Sequence, residues 1–149
     1  MGVIDIARTN VETADPEKSV ADVVRQIHHA EVSGLVIVDD GQPLDLVTDR
    51  DLTLALLDDG FDAEETQVRE LLGDDMLTVE ASMGIYDAIE LLSEHGIRRA
   101  PVVEDGDLVG LISLSDVVVL LGMELQQVAN AIRSSSPAYQ REGPEYFLG

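Results

Sequence analysis

At 149 residues, 45% of them hydrophobic, the chain can fold as one compact unit or as two small units that share a core. Thirty acidic residues against nine basic ones give a net charge of -21, which repels nucleic-acid phosphates and anionic membrane surfaces and excludes both as expected partners. There is no cysteine, the start "MGVIDIARTN" lacks the basic and apolar parts of a signal peptide, and no apolar run reaches membrane-spanning length, so a cytoplasmic protein is expected.

Lys18 is the only lysine, and the acidic residues are spread along the whole chain. That balance points to adaptation to high salt, where self-repulsion is screened within about 3 Å at 1 M. An acidic protein of ordinary salinity is the alternative.

Taken in chain order, the first periodic segment after the strand around Thr13 is a helix carrying Val20, Val23, Val24 and Ile27 on one stripe. A short apolar strand (Leu35 to Val38), an acidic turn "DDG" at 39–41, a second strand (Leu44 to Val47) and a helix from Asp49 to about Leu57 follow. Residues 58–67, "DDGFDAEETQ", are polar and mark a boundary. Beyond them the same order returns at an offset of 65 residues. Val3 to Ala7 falls on Val68 to Leu72, Thr13 on Thr78, and the helical stripe on Ile85, Ala88, Ile89 and Leu92. The second copy then has a strand from Ala100 to Val103, the turn "EDGD", a strand from Leu108 to Ile112 and a helix from Leu114. Each copy reads strand, helix, strand, strand, helix. The expected fold is α+β: two βαββα units packed on each other about a pseudo-two-fold axis, because about 60 residues alone bury too little surface. The expected organisation is 1–60, an acidic linker at 61–67, 68–121, and a helix extension with a tail at 122–149.

Two matched motifs open the second helix of each copy, "VTDRDL" (47–52) and "ISLSDV" (112–117), with Thr48 and Asp51 in one and Ser113 and Asp116 in the other. Taken alone, each is a helix capping box, which stabilises a helix by about 1 kcal/mol whether or not anything binds. A hydroxyl and a carboxylate at a helix start can equally be two grips on a ligand. The two roles are compatible.

The repeat, and above all "GIRRAPVVEDGDLVGLISLSDVV" (96–118), resembles the tandem CBS-domain pair named from cystathionine β-synthase, also called a Bateman module. The resemblance covers roughly residues 1–121. It implies two βαββα units packed through their sheets, two clefts, a homodimer, and a regulatory rather than enzymatic role. It also implies sensing of adenine-containing ligands, AMP, ADP, ATP or S-adenosylmethionine, to the benefit of an unidentified protein partner. Carried over, Thr48 and Asp51 hold ribose and phosphate in one cleft, and Ser113 and Asp116 in the other. Adenine would lie near Val11, Thr13, Ala14, Leu35 and Val36 in one site, and near Met76, Thr78, Val79, Ala100 and Pro101 in the other.

Arg98 and Arg99 stand where the family often has a phosphate-binding cation; a surface salt bridge, worth about 0–1 kcal/mol, is the plain alternative. Side chains can cross between copies, so the cleft that each arginine serves is left open. The first copy has Ser33 and Gly34 at that offset, Asp45 in place of Gly110, and Asp49 inside its motif. Its cleft is expected to disfavour ATP and to take adenosine, a cationic adenosyl ligand, or nothing. A dimeric scaffold with vestigial clefts is the competing function.

His28, His29 and His95 have no second ligand at metal spacing, and there is no P-loop, GxGxxG or nucleophile elbow, so neither metal nor catalysis is expected. Leu125, Val128, Ala129 and Ile132 extend the last helix, "SSSP" ends it, and the aromatic tail with Tyr139, Tyr146 and Phe147 is expected to dock on the core or on a second copy.

Overall fold

The computed structural model describes residues 1–139. It divides into two units, residues 1–114 and the segment that starts at 115. Tyr146 and Phe147, and with them the expected docking of the tail, lie outside the described residues.

The first unit holds both sheets. In the first copy, β1 (Thr13–Ala14) runs parallel to β2 (Gly34–Asp39), which pairs antiparallel with β3 (Gln42–Thr48). Between β1 and β2 lies α1 (Val20–Ala30), and α2 (Asp49–Ala55) follows β3. The second copy repeats this with β4 (Val79–Glu80), α3 (Ile85–Glu94), β5 (Arg99–Glu104) and β6 (Asp107–Ser113), then α4 (Leu114–Ser135). A bulge interrupts each hairpin at the same repeat position, Ile37/Val38 and Val102/Val103. Each hairpin turns through Asp-Gly, Asp40–Gly41 and Asp105–Gly106, all four residues at positive φ. That is the two-residue turn whose twist matches the strands. The expected α+β fold of two βαββα units is observed, and β3 lies against β5 and β6.

α1 starts at Ser19, whose Oγ accepts from Asp22 N at 3.1 Å. It buries Val20, Ala21, Val23 and Ile27 over Leu35 and Ile37 of β2 and Val47 of β3. Val24, expected on this stripe, is instead 44% exposed. The buried face consists of Val20, Ala21, Val23 and Ile27.

The 3-10 turn that leads each copy packs on the other copy. Val3 N donates to Met83 O at 2.8 Å, and its repeat equivalent Val68 N donates to Lys18 O at 2.8 Å. Gly2 bridges Gly84 as Gln67 bridges Ser19. Val68 thereby completes the first copy's core, with Leu71 and Leu72 against it, although it lies C-terminal to the linker. The exchange is imperfect one step later. Arg8 and Leu111 exchange two backbone hydrogen bonds of 2.9 Å, a close approach that leaves a Cβ at Gly110 only 3.0 Å from Arg8 O. In the other half Asp45 occupies the place of Gly110, and its carboxylate takes the Gly73 N–H at 2.9 Å.

Candidate functional site

Two cavities related by the repeat open beside the junction of the sheets. The first, about 340 Å3, is lined by Val11 and Glu12 ahead of β1, by Val32 to Leu35 entering β2, and by Arg99 and Leu111 of the second copy. The second, about 270 Å3, is lined by Met76 and Leu77 ahead of β4, by Ile97, Arg99 and Pro101 around the start of β5, and by Asp45 and Leu46 of the first copy. Each cavity is therefore built from the β1-α1-β2 side of one copy and the last strand of the other. Ser33 and Gly34 stand in the first cavity and Asp45 in the second, so the sequence reading that grouped them in one cleft is corrected. The cause is topological: the third strand of each sheet lies against the opposite sheet and shows its face there.

Of the expected adenine residues, Val11 and Leu35 line the first cavity, and Met76 and Pro101 the second. Thr13 and Ala14 line a different cavity, of about 490 Å3, with Lys18 and Gly41. Val36, Val79 and Ala100 are core side chains, and Thr78 lines none of these cavities.

The motif residues follow the cavity strands. Thr48 lies two residues beyond Leu46 on β3, hence on the same strand face, and Ser113 stands in the same relation to Leu111 on β6. At α2 the capping box is formed. Thr48 N donates to Asp51 Oδ2 at 2.9 Å, Thr48 Oγ1 donates to the same oxygen at 3.0 Å, and Asp51 N reaches Thr48 Oγ1 at 3.4 Å. Asp49 Oδ1 accepts from Arg50 N at 2.8 Å, a local turn contact. Asp116 lies in the first turn of α4 and belongs to the second unit.

Arg99 is half-buried and donates from Nη1 to Ser33 Oγ at 2.8 Å, across the copies. Arg98 is exposed and lines none of these cavities, while its carbonyl accepts from Leu114 N at 2.8 Å. Asp45 is less free than the sequence implied, since its two oxygens accept from Leu46 N at 2.8 Å and Gly73 N at 2.9 Å. Sequence reasoning passed over Arg8, Asn10 and Glu31 in the first cavity and Asp75 in the second, where His95, considered only as a metal or acid-base group, also stands. The repeat offset carried a usable signal for two of them: Asn10 and Asp75 stand next to Val11 and Met76 at equivalent positions.

Two βαββα units with exchanged leading turns and paired clefts define a tandem CBS pair. The chain belongs to the CBS domain family, whose pattern matches residues 3–58 and 68–122. It is 30% identical over 117 residues to the CBS domain-containing protein YhcV of Bacillus subtilis, covering 78% of this chain and 83% of that one. It is 28% identical over 120 residues to an uncharacterised protein of Methanopyrus kandleri, covering 79% of this chain but only 61% of that protein's length. Among solved structures it resembles CBSX2, crystallised in complex with AMP, with a TM-score of 0.70 and 29% identity over 83% of this chain and 98% of that one. No helix among the described residues is long and apolar enough to cross a membrane.

Proposed function

We propose that this protein is a cytoplasmic regulatory module that binds an adenine nucleotide and passes its occupancy to a protein partner. One observation carries the reading: the first cavity joins an apolar wall, Val11, Leu35 and Leu111, to a guanidinium, Arg99, in a chain of net charge -21. An adenine ring fits the apolar wall and a phosphate the guanidinium. The AMP complex of CBSX2 supports AMP as the ligand to try first. Ser113 continues the wall strand as a hydroxyl for ribose or phosphate, and Asp116 is the carboxylate that the family resemblance assigns to ribose.

The second cavity takes a less anionic guest. Met76, Leu77 and Pro101 offer an adenine wall, but Asp45 and Asp75 face the same space and disfavour a triphosphate. Adenosine or a cationic adenosyl compound such as S-adenosylmethionine suits it, with Thr48 and Asp51 beside its β3 wall. A ligand regulates only through different affinities for two states of the protein. A second copy of the chain suits the exposed stripe Val118, Leu121, Leu125, Val128 and Ile132, whose alternating spacing of three and four is that of a coiled-coil seam.

Calorimetric titration with AMP, ATP and S-adenosylmethionine, in dilute buffer and in about 1 M KCl where surface charge is screened, tests the reading. Saturable heat with AMP is expected, and ATP is expected to bind at no more than one site per chain. No heat with any of the three makes the protein a scaffold with vestigial clefts.

A further inference from the structure

Arg99 belongs to both cavities. It lines the second cavity at the start of β5 and also the first, where its Nη1 donates to Ser33 Oγ at 2.8 Å. The repeat does not supply a second such cation. The equivalent position is Gly34, where a Cβ would stand 2.7 Å from Val47 O, so no arginine can be seated there without parting β2 from β3. Among the described residues Arg99 makes no ion pair, in a chain where acidic residues outnumber basic ones thirty to nine. Carboxylates face both cavities, Glu12 and Glu31 at the first and Asp45 and Asp75 at the second. The first also has Arg8, whereas no other arginine or lysine lines the second.

We infer that the two clefts compete for one guanidinium, so that Ser33 acts as a positioning residue and a phosphate bound in one cleft weakens phosphate binding in the other. This rests on the reading that the first cleft takes an adenine nucleotide, and it adds AMP to the guests of the second. An uncharged ligand such as adenosine has no claim on Arg99, so the competition is confined to phosphorylated ligands. The chain then works as a single-nucleotide sensor with two unequal seats: the cleft that holds Arg99 is the one that reports.

Carbon-13 methyl NMR of the full chain resolves the two sites, with Met76 as reporter for the second cavity and Leu35 for the first. AMP is titrated into the wild type, Ser33→Ala, Arg99→Gln and the double variant. Ser33 lines the first cavity and not the second, its side chain bonds Arg99, and the double variant isolates that route from its backbone bond to Asp49 N. Ser33→Ala is expected to tighten AMP at the Met76 site at least threefold and to weaken it at the Leu35 site. Arg99→Gln is expected to weaken the Met76 site at least tenfold and to abolish the effect of Ser33→Ala, while adenosine binding changes less than twofold in every variant. Shifts at both reporters with a Met76-site affinity indifferent to Ser33→Ala overturn the shared guanidinium and leave the nucleotide reading standing. No AMP shift at either reporter overturns both.

Discussion

Gly34 shows how much one residue decides. It sits where β2 passes β3 and Thr48 begins its capping box, and an added Cβ would meet Val47 O at 2.7 Å and Thr48 Cα at 3.2 Å. Both obstacles are backbone, which cannot step aside as a flexible side chain would. Gly34→Ala is expected to cost about 1–3 kcal/mol, the usual range for forcing atoms into a packed site. The measurement is the urea midpoint, and an unchanged midpoint would contradict the close approach. At this scale the sequence was readable where chemistry announced itself. The hydroxyl and carboxylate of Thr48 and Asp51 stand at capping distance in sequence and form the cap in space. Gly34 was not readable in the same way, because a missing side chain looks the same whether it answers to a turn, to chance or to a backbone 2.7 Å away. Asp45 misled for the opposite reason: a carboxylate seen in sequence shows its charge but not the two N–H groups that engage it.

The helices, strands and Asp-Gly turns follow the apolar spacing of each copy, and the offset of 65 residues places nearly all of them. What the spacing could not show is that the leading 3-10 turns are exchanged. A perfect repeat has the same apolar pattern whether Val3 packs on its own copy or on the other, and only the three-dimensional path decides between them. Val3 and Val68 are both fully buried, each hydrogen-bonded to the other copy's chain. Neither copy is then complete without the other, and unfolding should be a single transition. Val68→Ala and Val3→Ala are each expected to lower stability by about 2 kcal/mol, the transfer of two methyl groups plus the void they leave. Circular dichroism and tryptic cleavage followed through urea should give one coincident transition in both variants. Separate transitions for the two halves would contradict the exchange.

For the molecule as a whole, the family resemblance implied two clefts and the structure decides how their walls are shared. Two sheets meeting about a pseudo-two-fold axis can pair walls within a copy or across copies, and both satisfy the same residue pattern. The crossed pairing brings Arg99 beside Val11, Leu35 and Leu111, residues from both halves of the chain, and leaves Asp45 and Asp75 facing the other cavity. The two clefts therefore differ in charge although they descend from one repeat. The most direct measurement is a crystal structure of the full chain grown with AMP. Adenine density against Val11 and Leu35, with the phosphate at the Arg99 guanidinium, is the result expected. AMP bound instead in the cavity of Thr13, Lys18 and Gly41, or no nucleotide density at saturating AMP, would contradict it.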